Sequence, residues 1–179
     1  MHTDKQIRLV KPAVEYGEAY GEMVREFLQT EEAWFNNFPL ALEDFSAFVR
    51  ELEEEAQGIN LPPGVAPQQT YWLLREDEEG ATLLGEIRLR PALSEPFEQQ
   101  NGHIGYNIRP SQRGRGHATL QLALVLQEAR RYGLARVMLT IEGDNPASVR
   151  VIEKNGGWLD VRRGLHESGE ELACYWIEL

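Results

Sequence analysis

The sequence of 179 residues is poor in cysteine and in positive charge, and it has no long apolar run. Its one cysteine, Cys174, excludes a disulfide within the chain and is typical of a reducing compartment. No stretch approaches the roughly 20 apolar residues of a membrane span, and residues 1–12 lack the apolar centre of a signal peptide. We therefore expect a cytoplasmic protein with no membrane partner.

Positive charge is scarce because 29 acidic residues outnumber 18 lysines and arginines, which gives a net charge of -11. Such a chain repels a phosphate backbone unless its cations are concentrated on one face, so we expect no nucleic-acid partner. The acidic balance fits a cationic substrate, although solubility alone also explains it.

Apolar residues make up 42% of the chain, enough for the core of one domain over residues 1–179. Alternating and helical apolar spacings predict the order β-α-α-β-β-β-α-β-α-β-β, with an aromatic loop at 34–40 between the first two helices. An order that mixes strands and helices in this way favours an α+β fold with helices on the faces of one sheet.

A glycine-rich segment, "QRGRGHA" at 112–118, lies between a predicted strand and a predicted helix at 116–132. The first turn of a helix has unpaired N–H groups and attracts anions. Gly114 and Gly116 allow close approach of the backbone, and Arg113 and Arg115 can add charge-assisted hydrogen bonds. The spacing fits neither the P-loop nor the dinucleotide fingerprint. An anion site and a structural turn both remain open.

The segment "RGRGHA" resembles the Gln/Arg-x-x-Gly-x-Gly/Ala signature of the GNAT superfamily of acetyl-CoA-dependent N-acetyltransferases. "YNIRP" resembles the splayed strand before that loop, and "DNPASVRVIEKNGG" resembles the later Asn-x-x-Ala/Ser helix. These motifs span residues 102–158 and most resemble a bacterial subgroup of predicted acetyltransferases. The resemblance implies a mixed, mostly antiparallel sheet of about seven strands flanked by about four helices, with a splayed strand pair as the cofactor cleft.

The resemblance also implies acetyl-CoA as the acetyl donor and no metal. Backbone groups of Asn107 and Ile108 would pair with the pantetheine arm as an added strand does, and an amide there would stabilise the oxyanion. Asn145 and Ser148 share one helix face and would contact the pantetheine, although Asn145 also fits a simple N-cap. The pyrophosphate would be held by the backbone amides of Arg113, Gly114, Arg115, Gly116, His117 and Ala118.

The sequence departs from the family pattern at Ile152, where many members carry a tyrosine that protonates the departing thiolate. Tyr106, Tyr175 and solvent are the alternative proton donors. An acceptor amine with a pKa of about 10.4 must also lose a proton. His103 is the first candidate for that base because its ordinary pKa of about 6.5 suits the task, although it also fits a surface residue on an edge strand. The second and third candidates are Glu86 and Glu142.

The expected acceptor is a primary amine of a small molecule or a peptide. Its pocket is predicted from aromatic and acidic residues near the first two helices, although core packing also explains the aromatics. These residues are Trp34, Phe35 and Phe38, with Glu31, Glu32 or Glu43. Monomer and homodimer both remain open.

Two other functions remain as alternatives. A non-catalytic acyl-CoA-binding sensor is favoured by Ile152. A nucleic-acid or partner-binding module would use four arginines and is disfavoured by the acidic balance. Those four are Arg113, Arg115, Arg130 and Arg131.

Overall fold

The computed structural model describes residues 6–30, 37–78, 80–94, 101–142, 144–165 and 171–179. Seven strands lie in this part of the chain: β1 (Gln6–Val10), β2 (Gln69–Asp77), β3 (Gly80–Leu89), β4 (Ile104–Ile108), β5 (Arg136–Glu142), β6 (Trp158–Leu165) and β7 (Glu171–Glu178). The same part contains five α-helices: α1 (Gly17–Phe27), α2 (Phe38–Glu43), α3 (Phe45–Gln57), α4 (His117–Arg131) and α5 (Pro146–Lys154). This α+β fold agrees with the sequence-based prediction.

The strands form two antiparallel sheets, in the orders β1-β2-β3-β4 and β5-β7-β6. Within the described residues β4 pairs with β3 alone, and β5 pairs with β7 alone. The two sheets meet where the His103 N–H donates to the Met138 carbonyl at 2.7 Å. The predicted sheet is thus divided into two, because β4 and β5 touch near their starts and then splay apart without forming a ladder.

Two apolar clusters hold helices against the strands. In one, Tyr20, Phe48 and Trp72 pack the first three helices against β2 and β3. In the other, Leu122 of α4 and Ile152 of α5 pack against side chains of β3, β5 and β7. Each fully buried side chain of this size contributes about 1.5–3 kcal/mol, so the two clusters fix the helices that flank the junction of the sheets.

The segment predicted as an aromatic loop is partly helical. The Asn37 side chain accepts from the Leu40 N–H at 3.3 Å and caps α2, and Pro39 lies in its first turn. Phe38 is buried against Tyr20 and Phe27, so it belongs to the core. Glu43 is exposed. The other predicted pocket residues, Glu31, Glu32, Trp34 and Phe35, lie outside the described residues.

None of the helices in the described ranges combines the length and the apolar character needed to cross a membrane.

Candidate active site

His103 joins the two sheets at the point from which they diverge. Its N–H donates to the Met138 carbonyl, and its Nδ1 accepts from the Met138 N–H at 2.9 Å. Its own carbonyl accepts from the Arg90 N–H at 2.8 Å. Gly102 makes the approach possible, since a Cβ there would lie 2.6 Å from the Met138 carbonyl oxygen. The imidazole therefore accepts the hydrogen bond that a backbone carbonyl of a neighbouring strand would accept, at the point where β4 and β5 begin to diverge.

The surroundings of His103 favour this structural role over the predicted role of general base. Burial lowers its pKa to about 4, and the charges of Arg90 and Arg136 act in the same direction. Its Nδ1 lone pair is already engaged by a backbone N–H. His103 also lies outside the lining of the two cavities described below.

Replacing His103 with alanine should destabilise the fold, because the Met138 N–H loses its acceptor. The expected cost is about 1–3 kcal/mol, while His103→Asn should cost less because its Oδ1 can accept in the place of Nδ1.

The pKa of His103 in the folded protein lies below the ordinary value of 6.5, so the unfolded chain binds the proton first. The His103 contribution to stability is thus complete above pH 6.5 and is lost as the pH falls toward 4. Urea unfolding of the wild type and His103→Asn across this range measures the difference, and identical pH dependences would contradict it.

A cavity of about 630 Å³ opens between the end of β4, the glycine loop and α5. Of the ten residues predicted to contact the cofactor, all except Arg115 line it. Two cations that the sequence analysis missed, Arg150 and Lys154, line it as well. They lie four residues apart on α5, a spacing that places both on one helix face and that would have indicated them.

The glycine loop presents backbone to this cavity. Gly114 and Gly116 have φ values of 73° and 81°, in the left-handed region that favours glycine. Apart from the chain neighbours, no atom of the described residues lies within 4 Å of the position that a Cβ would take at either residue. Gly116 is the N-cap of α4 and provides no side-chain cap, so the first N–H groups of the helix can donate to an anion. Burial and the charges of Arg75 and Arg115 lower the pKa of His117.

Glu26 of α1 anchors the turn that leads into the loop. It accepts from Arg109 Nε at 2.6 Å and from both the N–H and the hydroxyl of Ser111 at 3.0 Å. Burial raises the pKa of Glu26, but the hydrogen bonds from Ser111 and Arg109 outweigh it, and the net pKa is lowered. Arg113 Nε donates to the Ile108 carbonyl at 3.0 Å, so the Arg113 side chain connects the loop to the end of β4. The backbone of the glycine loop is thereby fixed to α1 and β4.

A second cavity, of about 470 Å³, lies beside the first between the diverging strands. The two cavities share three lining residues, Tyr106, Asn145 and Ser148. Asn145 caps α5 by accepting from the Ser148 N–H at 3.0 Å, as the simple N-cap interpretation expected. The site therefore has two compartments that meet at one side chain of β4 and the first turn of α5.

Tyr106 places a hydroxyl at this junction. The hydroxyl is buried and makes no hydrogen bond of acceptable geometry with any described residue. Burial raises the pKa of Tyr106, and the nearby Ser148 partly opposes the rise. Tyr175, the other predicted proton donor, is buried in the core and lines neither cavity. Ile152 lines the second cavity and provides no proton.

The two carboxylates proposed as bases lie in different surroundings. Glu86 is buried, and its Oε2 accepts from the Tyr20 hydroxyl at 3.1 Å and from Trp72 Nε1 at 3.0 Å. Its Oε1 lies 3.6 Å from an Arg88 guanidinium nitrogen. Glu86 is absent from the lining of both cavities, whereas Glu142 is exposed and lines the second.

A family model described as the acetyltransferase (GNAT) domain matches residues 9–157, which is most of the chain. The chain belongs to the GNAT acetyltransferase family. A search of curated protein sequences found no match to this GNAT chain.

Solved structures of acetyltransferases resemble the GNAT chain over nearly its whole length. The microcin C7 self-immunity acetyltransferase MccE, in complex with acetyl-CoA and AMP, is 16% identical with a TM-score of 0.68, over 99% of this chain and 94% of its own. The ribosomal L7/L12 N-acetyltransferase RimL, in complex with coenzyme A, is 17% identical with a TM-score of 0.68, over 99% and 96%. A spermidine N-acetyltransferase SpeG chimera from Vibrio cholerae and hSSAT is 16% identical with a TM-score of 0.61, over 97% and 96%. At these identities the likeness shows the fold.

Proposed function

We propose that the protein transfers the acetyl group of acetyl-CoA to a primary amine, by direct attack in a ternary complex. The observation that carries this proposal is the meeting of two cavities at Tyr106, Asn145 and Ser148. One cavity has the uncapped helix start and basic residues that suit a nucleotide-linked donor, and the other can accept the amine. The family supports acetyl transfer as the chemistry. We propose that this takes place in the cytoplasm.

The residues of the first cavity fit acetyl-CoA. The first N–H groups of α4 and the charges of Arg150 and Lys154 are suited to its phosphates. Asn107 and Ile108 line the same cavity, and Ser148 lines both cavities. When bound, acetyl-CoA supplies an acetyl group that its thioester activates toward an amine.

Tyr106 is our proposed donor of a proton to the departing sulfur. Its raised pKa keeps the hydroxyl protonated at neutral pH, and its position between the compartments supports the assignment. Glu142 is our proposed acceptor of the amine proton, since it is the carboxylate among the described lining residues of the second cavity. Glu86 and His103 then act by packing and by holding β3, β4 and β5 in place.

Mixing the protein with acetyl-CoA and a panel of amines tests this function. We expect thiol release that depends on the amine, with acetylated amine formed in equal amount. The chain offers a matched control in Gly116→Val, which should release no thiol. Release that is independent of the amine would contradict acetyl transfer.

A second candidate function is a sensor that binds acyl-CoA without turnover. Ile152 favours it, because no hydroxyl is present where many GNAT members carry a tyrosine. Calorimetric binding of acetyl-CoA without release of thiol by any amine would support the sensor and exclude the transferase.

A further inference from the structure

The last turn of α1 places a carboxylate beside the segment that leads into the glycine loop. Glu26 accepts from Arg109 Nε at 2.6 Å, and from the N–H and the hydroxyl of Ser111 at 3.0 Å each. The side chains of Glu26 and Arg109 are only 25% and 12% exposed, so water screens these contacts weakly. Hydrogen bonds to a charged group are roughly twice as strong as neutral ones. One carboxylate therefore holds three donors of the segment at 109–111.

The same helix turn also contacts the loop itself. Phe27, the next residue of α1, is buried, and the guanidinium carbon of Arg113 lies 5.9 Å from the centroid of its ring. This distance is within the range of a cation–π contact. Between these two anchors the Gln112 N–H donates to the Arg109 carbonyl at 2.8 Å. Contacts with α1 thus hold both ends of the turn at 109–113.

Glu26 does not itself line the first cavity. Arg109 and Ser111 are absent from the lining as well, whereas Gln112 and the glycine loop after it belong to the lining. A molecule bound in this cavity would therefore contact the loop and not the carboxylate. Any influence of Glu26 on binding passes through the backbone that it holds.

The charge of Glu26 by itself disfavours an anion in this cavity. Like charges repel, and salt screens them incompletely within a Debye length of about 8 Å. A carboxylate at this place can favour anion binding only through the geometry that it imposes on the loop. The direct charge effect and the geometric effect therefore predict changes of opposite sign when the charge is removed.

We propose that Glu26 is a positioning residue for acetyl-CoA, which fixes the turn at 109–111 so that the glycine loop is ordered before the phosphates arrive. Ordering a loop in advance raises affinity because less conformational freedom is lost on binding. The effect is large where glycines would otherwise leave the backbone free, as Gly114 and Gly116 do. The inference rests on the proposed binding of acetyl-CoA at this loop. It adds to the determinants of affinity a helix that does not line the cavity.

Glu26→Gln should weaken acetyl-CoA binding about tenfold, the loss expected for one hydrogen bond to a charged group, although it removes a negative charge near the cavity. The amide keeps the size of the side chain but replaces one acceptor oxygen with a donor that faces Arg109 or Ser111. Isothermal calorimetry measures the affinity. In turnover, KM for acetyl-CoA should rise by the same factor while kcat stays within about twofold, because only binding is affected. Unchanged or higher affinity in the folded variant overturns the inference.

Glu22→Gln is the matched control. Glu22 lies one turn earlier on α1, its side chain is 52% exposed, and its carboxylate is 3.6 Å from Arg109 Nη2. The variant removes the same charge from the same helix and leaves the bonds between Glu26 and Ser111 in place. Its acetyl-CoA affinity should stay the same or rise. An equal loss in both variants would overturn the assignment to Glu26.

Ser111→Ala provides a second variant in case Glu26→Gln fails to fold. Ser111 is exposed and outside the cavity lining, so the loss of its hydroxyl removes one bond to Glu26 and no contact with acetyl-CoA. We expect affinity to fall about threefold, and to fall less when Glu26→Gln is already present, because the two groups act as one anchor. Unchanged affinity in Ser111→Ala, or equal losses in both backgrounds, would overturn the inference.

Motion of the loop separates positioning from a general loss of stability. Backbone ¹⁵N relaxation should give lower order parameters for residues 109–116 in Glu26→Gln than in the wild type, with little change elsewhere in α1 and α4. Weaker binding with unchanged order parameters in the loop would overturn the positioning role. Wild-type protein that binds acetyl-CoA without turnover overturns the transferase and leaves the inference standing. Wild-type protein that does not bind acetyl-CoA overturns both.

Discussion

Replacing Gly116 with valine should lower acetyl-CoA affinity by about 10²-fold or more, the loss expected when two or three hydrogen bonds to a charged group fail. Gly116 is the N-cap of α4 with a φ of 81°, and apart from its chain neighbours no atom of the described residues occupies the place of a Cβ there. That space belongs to the first cavity, so the valine side chain would stand where the phosphates approach the helix N–H groups. Isothermal calorimetry with acetyl-CoA and with CoA measures the effect.

Gly133 provides the control for backbone strain. It lies just beyond the other end of α4 and has the same φ of 81° and the same empty surroundings, but it does not line the cavity. A valine at either position carries the strain of a left-handed residue, about 1–3 kcal/mol. Gly133→Val should therefore lose stability and keep its affinity. Unchanged affinity in a folded Gly116→Val protein would refute the assignment of the loop.

The residues that line the first cavity were largely predictable because the signals for them are local. A strand, two glycines and a helix follow one another within residues 104–131, and the spacing of Gly116 and Ala118 carries the family signature. The Asn145 cap and the helix after it are local in the same way. Short-range geometry of this kind depends on neighbours in sequence, so a sequence pattern can specify it.

The surroundings of the second cavity were not predictable because they depend on how the two sheets diverge. His103 has an ordinary pKa that suits a base, yet contacts with Met138, 35 residues away, turn it into the joint between β4 and β5. Glu26 reaches Ser111 across 85 residues, and no pattern in either segment indicates that contact. Long-range contacts of this kind are decided by packing.

Net charge is a weak guide to the substrate for a related reason. A value of -11 describes the surface of the whole chain, whereas a bound molecule responds to the groups within a few ångströms of it. In the second cavity those groups include Arg88 and Arg90.

Tyr106→Phe should reduce kcat by about 10²-fold, the lower end of the usual range for a positioned proton donor. Acetyl-CoA affinity should change little, because the ring that lines both cavities remains. The free energy of unfolding should fall little, since the hydroxyl makes no hydrogen bond of acceptable geometry within the described protein, and Ser148, whose side chain acts on the pKa of Tyr106, is only half-buried and can bond to water. Lower turnover without lower stability separates a catalytic hydroxyl from a structural one.

Two further measurements decide whether this hydroxyl serves the departing sulfur. Burial raises the pKa of Tyr106 above its ordinary 10, so wild-type turnover should show no loss from a deprotonated tyrosine between about pH 7 and about pH 9. An acetyl donor with a more acidic thiol should reduce the defect of Tyr106→Phe, because its thiolate leaves with less help from a proton. Tyr175→Phe is the matched control, since Tyr175 lines neither cavity and its loss should leave kcat unchanged. A defect that is the same for both donors would assign Tyr106 to positioning the thioester, because a positioning role does not depend on the acidity of the departing thiol.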